Sequence, residues 1–282
     1  MSSCSPVGAS MNDENLVAVL GQQIRVDIRS GTGTPLVLCN GIGASLEVLD
    51  PFVAELDPDT TVVRFDIPGS GASPDSPFPY RFPYLAAVLG MLLKKIGIID
   101  RRAGISQVDV LGLSWGGALA QQFAFQNPHR CRSLILASTG TGSLMIPGKP
   151  SVLAKDVDCT AIPGSPLCRQ HRARDLRRDS PQRQMMIKRV FDRQLMAGSR
   201  VGYMHQLLAG AGWTGVFMLP LVRQRTLIVA GRDDPVIPLA NAKIMNRLLP
   251  NSALHIHNGG HAELITNAAE QARVIEEFRR KA

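Results

Sequence analysis

Of the 282 residues only five are cysteine and six are histidine. The cysteines, at positions 4, 39, 131, 159 and 168, are odd in number and scattered. That rules out a disulfide framework as the organising principle. No Cys or His spacing matches a metal site, so no metal is expected. Apolar runs are short. None approaches the ~18 residues that mark a membrane-spanning helix. The first fifteen residues are Ser-rich and acidic, where a secretory leader would be basic and then apolar. This predicts a cytoplasmic protein with reduced thiols. Cys39 and Cys131 sit in or beside apolar runs and read as core. Cys159 and Cys168 are near enough in sequence to pair, which a reducing compartment opposes. Internal repeats are lacking. So is any nucleic-acid-binding module, and no nucleic acid is expected as partner despite a net charge of +8.

What is present centres on Gly112-Leu113-Ser114-Trp115-Gly116-Gly117. A strand-like run, 107–113, enters it and a helix-like run, 118–126, leaves it. Strand, sharp turn and helix around Gly-x-Ser-x-Gly form a nucleophile elbow. The turn is tight enough that a side chain at Gly112 or Gly116 would crowd it, and the strain lifts the Ser114 hydroxyl above the sheet. A hydroxyl is a weak nucleophile and needs a base. The chain supplies an acid and a histidine in the order this chemistry uses. A buried strand over 226–230 runs into Gly231-Arg232-Asp233-Asp234-Pro235. A second, over 253–257, runs into Asn258-Gly259-Gly260-His261. Both loops lie at the carboxyl ends of their strands, where parallel sheets place their chemistry. An earlier strand, 36–39, ends in Asn40-Gly41-Ile42-Gly43. Acyl transfer needs two backbone N–H groups facing the developing oxyanion. The residue after the nucleophile, Trp115, supplies one and the early loop the other, assigned to Ile42.

Strand and helix patterns alternate through residue 137 and again from 226, the signature of a doubly wound, mostly parallel sheet. A half-exposed strand is predicted over 22–28, a turn over 30–35, a helix over 45–56 broken at Pro51, and an apolar helix over 85–98. Asp66, in a Gly-rich turn, reads as a structural acid. Residues 1–18 read as a flexible terminus, 19–139 with 226–282 as the α/β core, and 140–225 as a mainly helical cap inserted over the strand ends. The cap carries a basic run over 169–193 and scattered methionines. The basic run reads as a solvated helix face, or as contact with an anionic surface or with carboxylate products. Residues 207–213 read as buried cap core or as the wall of an acyl pocket, with Met145, Leu208 and Trp213 the expected substrate-binding residues and the glycines around Trp213 allowing a lid.

The chain resembles the α/β-hydrolase superfamily throughout. More narrowly it resembles the bacterial intracellular poly(3-hydroxyalkanoate) depolymerases of the medium-chain-length type. The residues that carry the likeness are Asn40-Gly-Ile-Gly-Ala-Ser-Leu-Glu47, Phe65-Asp-Ile-Pro-Gly69, Pro79-Tyr-Arg-Phe-Pro83, Ser114-Trp-Gly-Gly-Ala-Leu-Ala-Gln-Gln-Phe123, Pro147-Gly-Lys-Pro150, Gly210-Ala-Gly-Trp-Thr214 and Asp233-Asp-Pro-Val-Ile-Pro-Leu239. The resemblance covers about residues 22–280 and departs over 156–170, over 101–106 and at Ala262-Glu263. It implies the α/β-hydrolase fold, a Ser114, Asp234, His261 triad, no cofactor, and a polyester granule or ester substrate met in the cytoplasm. Two rivals share the triad: a 3-hydroxyacyl transferase to a thiol carrier, and a general carboxylesterase of soluble esters. A catalytically silent binding protein of the same fold is the rival of another class.

Overall fold

The computed structural model describes residues 16–100, 106–148 and 198–281. Eight strands form one sheet: β1 (Leu16–Val19), β2 (Gln22–Arg29), β3 (Thr32–Cys39), β4 (Thr60–Phe65), β5 (Val108–Leu113), β6 (Cys131–Ala137), β7 (Arg225–Gly231) and β8 (Ser252–His257). Their order across the sheet is β1-β2-β4-β3-β5-β6-β7-β8. The β1–β2 and β2–β4 pairs are antiparallel and all other pairs are parallel. The helices are α1 (Asp50–Glu55), α2 (Phe82–Lys95), α3 (Trp115–Gln126), α4 (Arg200–Gly210), α5 (Leu239–Leu248), α6 (Glu263–Thr266) and α7 (Ala268–Arg280).

Two hydrophobic layers follow from the period-2 alternation of the strands. Val37 and Cys39 of β3 face the layer of α2, α3 and α5, with Leu89, Phe123 and Met245. Leu36 and Leu38 face the opposite layer, with Phe52 of α1 and Ile275 of α7. Central strands buried on both sides read as mostly apolar runs, as β5 and β6 do apart from Asp109 in β5 and Arg132 and Ser133 in β6, near the strand starts. Leu85, Leu89, Leu92 and Leu93 put one face of α2 into the core, each worth about 2 kcal/mol of burial.

The structure differs from the sequence pattern in three places. Leu16–Val19, expected as flexible terminus, is an edge strand paired with β2 from Leu16–Arg25 to Val19–Gln22. The break expected at Pro51 in the 45–56 helix falls just ahead of it, between Leu49 and Asp50. A 3₁₀ turn over Leu46–Leu49 leads into α1, where Pro51 lies in the first turn, a position whose N–H needs no helical partner. The expected turn over 30–35 is already strand from Thr32, with a register shift before Leu36.

Of the expected cap over 140–225, residues 140–148 and 198–225 are described. The chain leaves the sheet and returns along the same line: Gly142 bridges Thr214, the Ser143 N–H donates to the Trp213 carbonyl, and the Gly215 N–H donates to the Thr141 carbonyl. The basic run over 169–193, Cys4, Cys159 and Cys168, and the departing segment 156–170 lie outside the described residues.

Candidate active site

The elbow is built by steric exclusion. Ser114 has φ 52° and ψ −118°, a left-handed conformation unusual for a residue with a side chain. Glycine surrounds it because nothing larger fits. A Cβ on Gly112 would lie 2.5 Å from the Gly116 carbonyl oxygen, and one on Gly116 would lie 2.2 Å from that of Cys39. The turn is secured at both ends. The Ser114 N–H donates to the Ala137 carbonyl, and the Thr139 hydroxyl donates to the Ser114 carbonyl at 2.7 Å.

Three side chains from three strand ends meet there. His261 Nε2 is 3.0 Å from Ser114 Oγ, and His261 Nδ1 is 2.8 Å from Asp234 Oδ2. A carboxylate can only accept, so Nδ1 carries the proton and Nε2 offers its lone pair to the serine hydroxyl. The other oxygen, Asp234 Oδ1, accepts from the N–H groups of Val236 and Ile237, both at 2.9 Å. Every polar contact of this buried carboxylate therefore fixes its direction. Asp233 is exposed. The acid loop and the histidine loop are joined directly: Arg232 N–H to the His257 carbonyl, and Asp233 N–H to the Gly259 carbonyl. Gly231 allows this approach, since a Cβ there would sit 2.3 Å from the Gly259 oxygen.

The loop after β3 lies against the nucleophile, where a Cβ on Gly41 would be 3.8 Å from Ser114 Cβ. Its N–H groups are distributed unevenly. Gly41 donates to Asn40 Oδ1, Gly43 to Gln206 Oε1, and Ala44 to the Gly41 carbonyl. Among the described residues the Ile42 N–H has no acceptor. Trp115 is the first residue of α3, so its N–H has no acceptor within the helix. These are the two donors expected for an oxyanion.

Asp66 is fully buried and accepts from the N–H groups of Leu46 and Ala72 and from Arg25. Burial pushes its carboxyl above the usual range, despite these donors. It ties the loop after β4 to the segment that follows the Ile42 loop.

Met145, Leu208 and Trp213 take no part in the hydrogen bonds of Ser114, His261 and Asp234. Met145 packs against Gly140. Leu208 is 42% exposed on α4. Trp213 is anchored: its indole N–H donates to Gln122 Oε1 at 2.8 Å, and its ring lies 5.0 Å from that of Phe82, which in turn lies 4.7 Å from Trp115. Among the described residues no three His, Cys, Asp or Glu side chains are grouped to hold a metal ion, and no helix is long and apolar enough to cross a membrane.

A mostly parallel sheet flanked on both faces, with a strained serine between strand and helix and a histidine and carboxylate on later strand ends, defines a hydrolase architecture. The chain belongs to the alpha/beta hydrolase fold family, whose model matches residues 34–268. It is 42% identical over 267 residues to a poly(3-hydroxyalkanoate) depolymerase of Ectopseudomonas oleovorans, covering 91% of this chain and 89% of that one. A 2-hydroxy-6-oxo-2,4-heptadienoate hydrolase of Pseudomonas putida is 26% identical over 273 residues, covering 88% of this chain and 90% of the other. Among solved structures, an esterase from Exiguobacterium antarcticum superposes with a TM-score of 0.77 at 18% identity, over 94% of this chain and 98% of that one. By family and relatives the chain is a hydrolase.

Proposed function

We propose that this chain hydrolyses the backbone esters of poly(3-hydroxyalkanoate) through Ser114, His261 and Asp234. The observation that carries the reading is the unbroken line from Ser114 Oγ through both nitrogens of His261 to Asp234. Its polyester substrate is drawn from the 42% identical relative.

Ser114 Oγ attacks the ester carbonyl carbon while its proton passes to His261 Nε2. The carbonyl oxygen becomes an oxyanion facing the N–H groups of Ile42 and Trp115. The carbon–oxygen bond to the alcohol side then breaks. The alkoxide takes the proton from His261 and leaves as the hydroxyl end of the shortened polymer. Water attacks the acyl-enzyme, gives a proton to His261, and displaces Ser114, which recovers that proton. The product is a 3-hydroxyalkanoic acid or oligomer. Asp234 holds the imidazole in one tautomer and stabilises its cation. The protein works at the granule surface in the cytoplasm.

The test combines labelling and product analysis. A fluorophosphonate probe should label Ser114 in wild type and not in Ser114→Ala. Wild type should release 3-hydroxyalkanoic acids or oligomers from granules of defined monomer length, and Ser114→Ala should lose roughly 10⁴- to 10⁶-fold. Near-normal turnover by Ser114→Ala overturns the nucleophile. Hydrolysis of soluble esters with intact granules points to a general carboxylesterase. Thioester formed when coenzyme A is added points to acyl transfer.

A further inference from the structure

We propose that Gln206 is a positioning residue of the oxyanion hole and that α4 is thereby a working part of the catalytic centre. The inference rests on the assignment of Ser114 as nucleophile with Ile42 and Trp115 as oxyanion donors.

Gln206 is fully buried in the middle of α4. It binds the residue that follows one oxyanion donor and the side chain of the other. Its side-chain Oε1 accepts from the Gly43 N–H at 2.8 Å, 163 residues away in sequence. Its backbone carbonyl accepts from the Trp115 indole Nε1 at 3.0 Å. Its Nε2 is held in turn, donating to Ser70 Oγ at 2.6 Å. With both ends of the amide engaged, the side chain cannot rotate without losing two bonds.

The contact with Gly43 decides where the Ile42 N–H points. Peptides are planar and trans, so each N–H is opposed to the carbonyl of its own peptide unit. The Gly41 carbonyl is bound by the Ala44 N–H, which turns the Ile42 N–H the other way. The next N–H, that of Gly43, is bound by Gln206. The peptides on either side of Ile42 are thus both fixed, one within the loop and one from α4. Gly43 itself has φ +67°, a conformation that glycine alone adopts at little cost. A Cβ on it would lie 3.1 Å from the ring of Tyr203, one turn before Gln206 on the same helix.

The helix that holds this amide is seated closely. Gly202, Gln206 and Ala209 form its buried face. Gly202 meets Gly69 backbone to backbone, where a Cβ on either would fall within 2.3 Å of the other residue. The Ser199 hydroxyl caps the helix by accepting from the Gly202 N–H. A preorganised donor works because it need not be turned at the moment of reaction. Gln206 supplies that preorganisation from a segment that carries none of the reacting groups.

The experiment compares wild type, Ser114→Ala, Gln206→Met, Gln206→Asn and Gln206→Glu on p-nitrophenyl butyrate. An alkyl trifluoromethyl ketone is the transition-state mimic, since its adduct with Ser114 places an oxyanion in the hole. Gln206→Met cannot accept from Gly43, and Gln206→Asn is one methylene too short to reach it. Both should lower kcat roughly 30-fold, less than the 10²- to 10³-fold for removing a donor outright. KM should stay within about threefold, because the hole acts on the transition state rather than on bound ester. The inhibition constant of the ketone should rise by the same factor as kcat falls. Gln206→Glu keeps an oxygen for Gly43 in either protonation state and should recover most of kcat. Should Gln206→Met fail to fold, the Asn and Glu pair carries the comparison. Wild-type kcat in Gln206→Asn, with Ser114→Ala inactive, overturns the role of Gln206 alone. So does a loss of activity without weaker ketone binding, or a Gln206→Glu no better than Asn. Activity surviving in Ser114→Ala overturns the nucleophile assignment, and this proposal with it.

Discussion

Two carboxylates are buried at opposite edges of the same sheet, and they do different work. At the edge where strands begin, Asp109 of β5 is fully buried and accepts from Arg132, Arg279 and the Ser133 hydroxyl. Arg279 comes from the last turn of α7 and also donates to the Thr34 carbonyl at the start of β3. At the edge where strands end, Asp234 accepts from two peptide N–H groups and one imidazole. Guanidinium stays charged at any physiological pH. Asp109 therefore sits in a closed set of charges that ties α7 to β3, β5 and β6. Imidazole changes its charge near neutrality and has a second nitrogen to offer. At Asp234 that second nitrogen faces a serine. Burial alone thus does not mark the carboxylate of the proposed triad; the kind of partner does.

The sharpest way to break this contrast is to neutralise each acid in turn. Asp234→Asn should lower kcat by roughly 10⁴, because an amide no longer imposes the tautomer that frees Nε2. The fold should persist, and Asp233→Asn, at an exposed neighbour, should change kcat severalfold at most. Steady-state kinetics on a soluble p-nitrophenyl ester decide it, and the reverse ranking would refute the assignment of Asp234. At the other edge Asp109→Ala should cost about 3 kcal/mol of stability by leaving two arginines without their shared partner. The cost is offset partly by solvent, since the Arg132 side chain is 26% exposed. Urea unfolding measures the loss, and kcat per folded molecule should stay near wild type. A large fall in kcat at intact stability would show that the two edges are not separate in their roles.

The two edges were also unequally legible. Gly112, Ser114 and Gly116 announce the elbow because each residue type there has a local steric reason. The order of Asp234 and His261 after two apolar strands places them on one sheet edge. Residue type alone does not choose between Asp233 and Asp234, which are adjacent and both follow β7; only the Asp234 side chain turns back to the Val236 and Ile237 amides. Arg279 and Asp109 are 170 residues apart, and nothing local in either joins them. Leu16–Val19 is too short to be a strand on its own and becomes one by pairing with β2. Gln206 had one overlooked signal: a polar residue in line with the small residues Gly202 and Ala209, on a helix whose other faces carry exposed Val201, Met204, Leu207 and Leu208. Its partners, Gly43 and Ser70, are set by the fold.

The smallest effect separates the chemistry of the sheet edge from the selection of substrate by the segments above it. The apolar side chains exposed on α4 take no part in the hydrogen bonds of Ser114, His261 and Asp234, so altering them should leave the ester step alone. Leu208 is the cleanest position, because it is 42% exposed and only its backbone, whose carbonyl also accepts from Arg81, is hydrogen-bonded. Trp213→Ala would be a blunter change, since it also removes the bond to Gln122 and the packing on Phe82. A polyester strand must leave its granule with apolar side chains exposed to water, and each CH₂ covered on the way is worth about 0.8 kcal/mol. Leu208→Ser removes a few such contacts, so its effect should be about three- to tenfold. We expect that loss on granules and almost none on p-nitrophenyl butyrate. Equal losses on both substrates, or none on either, would mean that Leu208 takes no part in choosing polymer and that the selecting surface lies elsewhere on the chain.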